Sequence, residues 1–118
     1  MIRMANQSLM ESGILGEIHF EVQDCLDLKF SNNYFDVIYT ERCLQNLPGL
    51  KLQEQAILEL LRVLKPGGKL ILVECSKTGL LKLNKIRKMI GRVELEDAEP
   101  WHNKFFDDTW LLKLAHNN

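Results

Sequence analysis

The run from Ile57 to Glu74 constrains the fold of this chain more than any other stretch. Apolar residues recur in its first half at the three- and four-residue intervals of one helix face: Ile57, Leu60, Leu61 and Leu64. Pro66 cannot continue a helix, and Gly67 and Gly68 can take positive φ at little cost, so a reversal is expected there. Residues 70–73 then run apolar without alternation, as in a strand covered on both faces. The run predicts a helix, a sharp turn and a buried strand, which is half of a β-α-β unit.

The rest of the chain extends this pattern to an α/β fold. A helix is predicted over residues 1–12, and residues 18–23 alternate apolar and polar side chains like a strand near a sheet edge. Residues 35–40 are mostly apolar and predict a central strand, which precedes a helix over 52–64. Strands that alternate with helices are typical of a mostly parallel sheet flanked by helices.

Polar residues follow the predicted strands at the edge where such sheets bind ligands. Asp24 follows the first strand, Thr40 and Glu41 end the second, and Glu74 follows the third. Asp24 also has a simpler interpretation, because aspartate often starts a loop by bonding the backbone two residues on. Both interpretations stay open from the sequence.

Composition places the chain among ordinary globular proteins. With 118 residues, 46% apolar content and a net charge of −1, one domain is expected, with no nucleic-acid partner and no membrane contact. The three cysteines, Cys25, Cys43 and Cys75, are odd in number and lack a Cys-x-x-Cys pair. They favour buried thiols in the cytoplasm over disulfides or a metal site.

Residues 77–92 are basic and contain no acid, whereas acids follow at once from Glu94. The simplest interpretation is a solvated helix balanced by the acidic loop. A cationic lid over an anionic substrate is the alternative, and a membrane-surface helix is disfavoured because no aromatic anchor is present. An aromatic loop over residues 100–106 and a closing helix that begins at Asp107 or Asp108 complete the chain.

Three motifs together resemble the class I S-adenosylmethionine-dependent methyltransferases. They are Phe35-Asp36-Val37-Ile38, Leu47-Pro48 and the Arg62–Gly68 run, and the resemblance extends from Met1 to about Glu74. It implies a partial Rossmann-like sheet, with residues 1–75 as the cofactor-side core. Residues 76–118 are expected to form a helical, substrate-side extension of the same domain.

The resemblance also implies roles for single residues in binding S-adenosylmethionine. Asp24 matches the acid that accepts a hydrogen bond from the adenine amino group, and Cys25 and Leu26 match the positions that contact the ring. Thr40 and Glu41 match the strand end near the methionine part of the cofactor.

The aromatic loop supplies the catalytic candidate. Its Pro-Trp-His-Asn sequence is similar to small methyltransferases of polysaccharide-type pathways, which implies a small acceptor of anionic or sugar-like character. His102 is the candidate base because its unperturbed pKa lies near neutrality, although it could simply pack beside Trp101.

The sequence departs from the family in ways that create further expectations. No Gly-x-Gly-x-Gly turn occurs among its seven glycines, and the strands that flank this turn in the family are not found. We therefore expect residues 18–23 to pair with 35–40, a second copy to fill the gap, or the chain to be a fragment without its N-terminal half. We therefore expect the chain alone to have weak or no methyl-transfer activity towards a small-molecule acceptor. The alternative function is a non-catalytic, methyltransferase-like interaction module. A short-chain dehydrogenase is excluded because neither tyrosine begins a Tyr-x-x-x-Lys pair.

Overall fold

The computed structural model describes residues 2–13, 16–96 and 104–117, which form a small parallel sheet flanked by helices. The elements are helix α1 (Ile2–Ser12), strand β1 (Phe35–Glu41), a 3₁₀ helix (Leu44–Asn46), helix α2 (Leu50–Val63), strand β2 (Leu64–Val73), helix α3 (Lys77–Met89) and helix α4 (Asp108–Asn117). The α/β prediction is confirmed. Within the described ranges, no helix is both long and apolar enough to cross a bilayer.

The β-α-β unit predicted from the central run is present. β1 and β2 pair in parallel, with Val37 opposite Lys69 and Glu41 opposite Val73. The register shifts after the Phe35–Leu64 pair, so residues 65–68 bulge out between two paired stretches.

The two glycines of this bulge serve different purposes. Gly67 has a φ of +77°, as predicted, but Gly68 does not take positive φ. A Cβ on Gly68 would lie 2.8 Å from the Asp36 carbonyl oxygen and 2.8 Å from a Leu64 methyl carbon. Gly68 is therefore required by the close approach of β1, and not by its backbone angles.

The core lies on one face of the sheet. Its buried cluster comes from the 3₁₀ helix, α2 and the segment before α4: Leu44, Ala56, Ile57, Leu60 and Phe106. Ile38 of β1 and Leu70 and Leu72 of β2 pack against this cluster, as do three apolar residues of α4.

The opposite face of the sheet is open, which corrects the prediction of a strand covered on both sides. Val37, Tyr39, Ile71 and Val73 are between 45% and 55% exposed. In the described part of the chain, β1 and β2 form the whole sheet, so β1 is not a central strand.

The strand predicted over residues 18–23 is not present, and its pairing with 35–40, the first of the three alternatives, is wrong. This segment has no ladder partner among the described residues, and Val22 is 84% exposed. Alternation indicates which face of a strand would be buried, but it carries no information about the neighbouring strand.

Side chains of α2, and not a strand ladder, hold the segment that follows. The Arg62 guanidinium donates to the Leu28 and Phe30 carbonyl oxygens and to Asn32 Oδ1, each at 2.8 or 2.9 Å. Glu59 Oε1 accepts from the Leu28 N–H at 2.9 Å. Arg62 also donates to Glu59 and thereby lowers the pKa of that carboxyl. Glu59 and Arg62 therefore provide hydrogen-bond partners for backbone groups of this segment that are not paired in a sheet.

Candidate functional site

Asp24 forms a loop-initiating turn, which is one of the two interpretations that the sequence allowed. Its Oδ1 accepts from the Leu26 N–H at 2.9 Å, and its carbonyl oxygen accepts from the Asp27 N–H at 3.1 Å. The residue is exposed, and no described group bonds the second carboxylate oxygen. The turn thus fixes the carboxylate and leaves one of its oxygens able to accept a hydrogen bond.

Thr40 and Glu41 point to opposite faces of β1, because side chains alternate along a strand. Thr40 is only 8% exposed, and its Oγ1 donates to Glu74 Oε1 at 2.9 Å on the core side. Glu41 is exposed and accepts from the Tyr39 hydroxyl at 2.9 Å, a bond that raises the pKa of Tyr39. The two side chains therefore cannot line the same face of a pocket, although their backbones end the strand together.

Glu74 joins the end of β2 to the turn after β1. Its two oxygens accept from Thr40 Oγ1 and from three successive backbone N–H groups at 3.1–3.2 Å: those of Cys43, Leu44 and Gln45. These groups open the 3₁₀ helix and have no intrahelical partner, so the carboxylate caps them.

Two buried glutamines complete this polar cluster. Gln45 is 3% exposed, and its Oε1 accepts from the Cys75 N–H at 2.8 Å. Gln53 is fully buried, and its Nε2 donates to the Lys104 carbonyl oxygen at 2.6 Å and to the Leu44 carbonyl oxygen at 3.4 Å. Among the described residues its Oε1 has no partner. Gln53 thereby ties α2 to the segment before α4.

Packing against the core cluster brings the Asp24 turn near the segment that follows β1. Burial raises the pKa of the Cys25 thiol, and the neighbouring Cys43 and Asp24 raise it further. Burial also raises the pKa of Cys43, with a contribution from Glu74. Cys25 and Leu26 both pack against the cluster that contains Leu44. The structure therefore brings together candidates that are about 20 residues apart in the sequence.

Sequence reasoning did not assign roles to Gln53, Arg62 or Glu74. A signal existed for Gln53, which shares the α2 face of Ala56, Ile57 and Leu60 and is thus a polar residue at a core position. Arg62 belonged to the recognised motif, but its partners in the 28–32 segment are 30 or more residues away. The catalytic candidate His102 lies outside the described residues.

Comparison with known proteins defines the family. A profile described as "Methyltransferase domain" matches residues 1–72. The chain therefore belongs to this family, and its fold is that of the class I S-adenosylmethionine-dependent methyltransferases. The resemblance seen in the sequence is confirmed.

Curated relatives include a Vibrio parahaemolyticus protein named ubiquinone/menaquinone biosynthesis C-methyltransferase, 36% identical over 86 residues. The match spans 73% of this chain and 32% of that protein. A Yersinia pestis protein of the same name is 35% identical over 109 residues, which are 86% of this chain and 42% of the relative. The chain thus spans about a third to two fifths of the length of these relatives.

Solved structures agree with the fold. A Methanosarcina mazei S-adenosylmethionine-dependent methyltransferase superposes with a TM-score of 0.71 at 27% identity, covering 98% of this chain and 62% of that one. The YcgJ protein of Bacillus subtilis has a TM-score of 0.69 at 17% identity, covering 99% and 47%, and supports the fold alone.

The adenine half of S-adenosylmethionine fits the residues that are present. A fixed carboxylate oxygen at Asp24 can accept from an amino group, and Leu26 offers a half-buried apolar surface beside it. The methionine half has no equivalent fit, because this 118-residue sequence contains no Gly-x-Gly-x-Gly turn that could surround it.

Proposed function

We propose that the chain takes part in methyl transfer from S-adenosylmethionine to a small-molecule acceptor. The observation that carries the proposal is the fixed Asp24 turn, whose next residues pack against the core cluster that contains Leu44, just after β1. Ligands of open α/β sheets bind at such ends. When bound, the cofactor supplies an electrophilic methyl group, so the protein mainly has to align the reactants.

In this proposal the residues of the chain position the cofactor. Asp24 accepts a hydrogen bond from the adenine amino group, and Cys25 and Leu26 contact the ring. The backbone at Thr40 and Glu41 borders the methionine part, while Glu74 holds that strand end in place through Thr40. His102 accepts a proton from the acceptor.

The names of the bacterial relatives suggest one acceptor, a carbon atom of an intermediate in ubiquinone or menaquinone biosynthesis. The loop of residues 100–106 suggested an anionic or sugar-like acceptor instead. Replacing His102 with alanine addresses the base role in either case, and unchanged turnover would contradict it. Three free cysteines favour the cytoplasm as the site of action.

Calorimetry with S-adenosylmethionine tests cofactor binding by the 118-residue chain. Asp24→Asn keeps a side-chain oxygen for the Leu26 N–H but removes the charge, so we expect affinity to fall about tenfold. Asp27→Asn, three residues further along the same turn, is the matched control and should bind like the wild type.

Two outcomes would contradict the assignment. Equal affinities for the two variants would remove Asp24 from the adenine site. No binding by the wild type at millimolar cofactor would instead favour the second candidate function, a non-catalytic module that docks on a partner. The open sheet face supports that alternative.

A further inference from the structure

Arg42, the first residue after β1, has a backbone conformation that residues other than glycine rarely adopt. Its φ is +48°, and Asn33 is the other described non-glycine residue with positive φ. Asparagine tolerates this left-handed region because its short side chain can bond the local backbone, whereas a long side chain such as arginine gains no such compensation. Arg42 therefore holds a strained conformation, and strain of this kind is concentrated at functional sites.

Hydrogen bonds to its backbone hold Arg42 in this conformation. Its N–H donates to the Val73 carbonyl oxygen at 2.8 Å, and its carbonyl oxygen accepts from Asn46 Nδ2 at 2.7 Å. A glycine could make both bonds and would adopt the same φ with little strain. The backbone thus explains the conformation but not the presence of an arginine, so the reason for an arginine lies in its side chain.

The Arg42 side chain is exposed at the carboxyl end of β1, the edge where open α/β sheets bind ligands. In the described part of the chain it forms no salt bridge or hydrogen bond, whereas Arg62, Lys65 and Lys77 each pair with a carboxylate. The adjacent Glu41 bonds a tyrosine hydroxyl instead. The guanidinium of Arg42 therefore remains available to an anion.

The surroundings of Arg42 favour a carboxylate over a phosphate. Phosphate sites usually combine a cation with several backbone N–H groups, but the N–H groups of residues 43–45 already bond Glu74. The planar guanidinium by itself matches the two oxygens of a carboxylate. A single carboxylate held by two parallel hydrogen bonds is thus the anion that this arrangement fits.

We propose that Arg42 binds a carboxylate group of the methyl acceptor, which makes the acceptor a small carboxylic acid. This inference rests on the proposed function, because it assigns Arg42 to the same site as Asp24 and the end of β1. A left-handed residue ends the alternation of the strand and so directs its side chain differently from a residue in a continued strand. The strained backbone thereby orients the guanidinium, and the acceptor is narrowed from an anionic or sugar-like molecule to one class.

Benzoate tests the proposal as a simple aromatic carboxylate. We titrate it into the 118-residue chain and follow the NMR signal of the Arg42 Nε–H group. Benzoate should bind with millimolar affinity, whereas methyl benzoate, which lacks the charge, should not bind. The affinity should fall in high salt, because the side chain is exposed. The readout needs no cofactor, so it can fail independently of the proposed methyl transfer.

Charge variants separate Arg42 from the overall charge of the protein. Arg42→Gln should weaken benzoate binding by about tenfold or more, and Arg42→Lys should retain part of the binding, because an ammonium group replaces the two-bond fork. Lys69→Gln removes an exposed cation from the neighbouring strand. It is the matched control and should bind benzoate like the wild type.

Two further variants test the strain at Arg42 without any ligand. Arg42→Gly removes the steric penalty of positive φ, whereas Arg42→Ala keeps it. The urea midpoint of Arg42→Gly should therefore exceed the midpoints of Arg42→Ala and of the wild type, although neither variant binds benzoate. A gain in stability that accompanies a loss of binding is expected of a residue that is retained for binding and not for the fold.

Four results would overturn the proposal. They are no benzoate binding by the wild type, equal benzoate affinities of the wild type and Arg42→Gln, a urea midpoint of Arg42→Gly at or below that of Arg42→Ala, and a loss of S-adenosylmethionine affinity in Arg42→Gln. The last would assign the guanidinium to the methionine carboxylate of the cofactor instead. A wild type that binds benzoate but not S-adenosylmethionine would remove the proposed methyl transfer and leave the carboxylate site in place.

Discussion

Glu74 accepts four hydrogen bonds at this candidate site. Its carboxylate accepts from the Thr40 hydroxyl and from three backbone N–H groups of the segment after β1. Charged acceptors make stronger hydrogen bonds than neutral ones, and three of these four bonds are partly buried, so losing the acceptor leaves their donors unpaired.

Glu74→Gln should lower the free energy of unfolding by about 2 kcal/mol, because one carboxylate oxygen is replaced by an NH₂ group that faces other donors. Urea unfolding measures the change. Glu41→Gln, at the exposed end of β1, is the control and should change stability by less than about 0.5 kcal/mol. Similar losses in both variants would show that the 3₁₀ helix does not depend on Glu74.

Gly68 illustrates a requirement that residue type alone does not reveal. Both glycines of the bulge were expected to provide positive φ, but only Gly67 does so. Gly68 is needed because the Asp36 carbonyl oxygen and the Leu64 side chain come within 2.8 Å of the space for a Cβ. The neighbours that impose this requirement include a strand about 30 residues earlier in the chain.

At the scale of elements, α2 organises the chain on both of its sides. Its apolar face packs on the sheet through the core cluster, while Glu59 and Arg62 bond the backbone of the 28–32 segment. The helix, the turn and β2 were predictable because periodicity and breaker residues act locally. The hydrogen bonds to residues 28–32 were not, since they join groups about 30 positions apart.

The ion pair between Glu59 and Arg62 makes the stability of the protein depend on pH. Arg62 lowers the pKa of Glu59 in the folded state, so Glu59 contributes stability that is fully present above its unfolded pKa, about 4.3. That contribution disappears as pH falls through the lower, folded pKa. The wild type should therefore exceed Glu59→Gln in urea midpoint at pH 6, and the difference should shrink towards pH 3.

A control on the same helix makes this measurement specific. Glu54→Gln removes a carboxylate that has no salt bridge in the described part of the chain, so its difference from the wild type should vary little with pH. A difference between wild type and Glu59→Gln that stays constant from pH 3 to pH 6 would contradict the role of the pair.

At the scale of the whole molecule, the sheet has one covered and one open face. The radius of gyration is 17.3 Å, against about 13–14 Å for a compact domain of this length. Leu72 packs against the core cluster, whereas its neighbour Ile71 is 45% exposed on the other face. Leu72 and Ile71 are therefore expected to contribute differently to the free energy of unfolding, although they are adjacent in one strand.

Leu72→Ala should lower the free energy of unfolding by about 2–3 kcal/mol, and Ile71→Ala by less than about 1 kcal/mol. Urea unfolding at two protein concentrations measures both. Equal losses that grow with concentration would show that a second copy covers the open face, as one of the expectations for the missing sheet neighbours required.

The sequence by itself determined the local elements, the Pro-Gly-Gly turn and the membership of the methyltransferase family, because these depend on patterns within short stretches. It also placed Thr40 and Glu41 at the end of β1, whereas the strand that it predicted before Asp24 is not present in the described chain. Only the tertiary structure decided that residues 18–23 have no ladder partner, that one sheet face is open, and that Glu74 holds Thr40 from 34 positions away. Pairing and burial depend on which distant segments meet, and local periodicity contains no information about those neighbours.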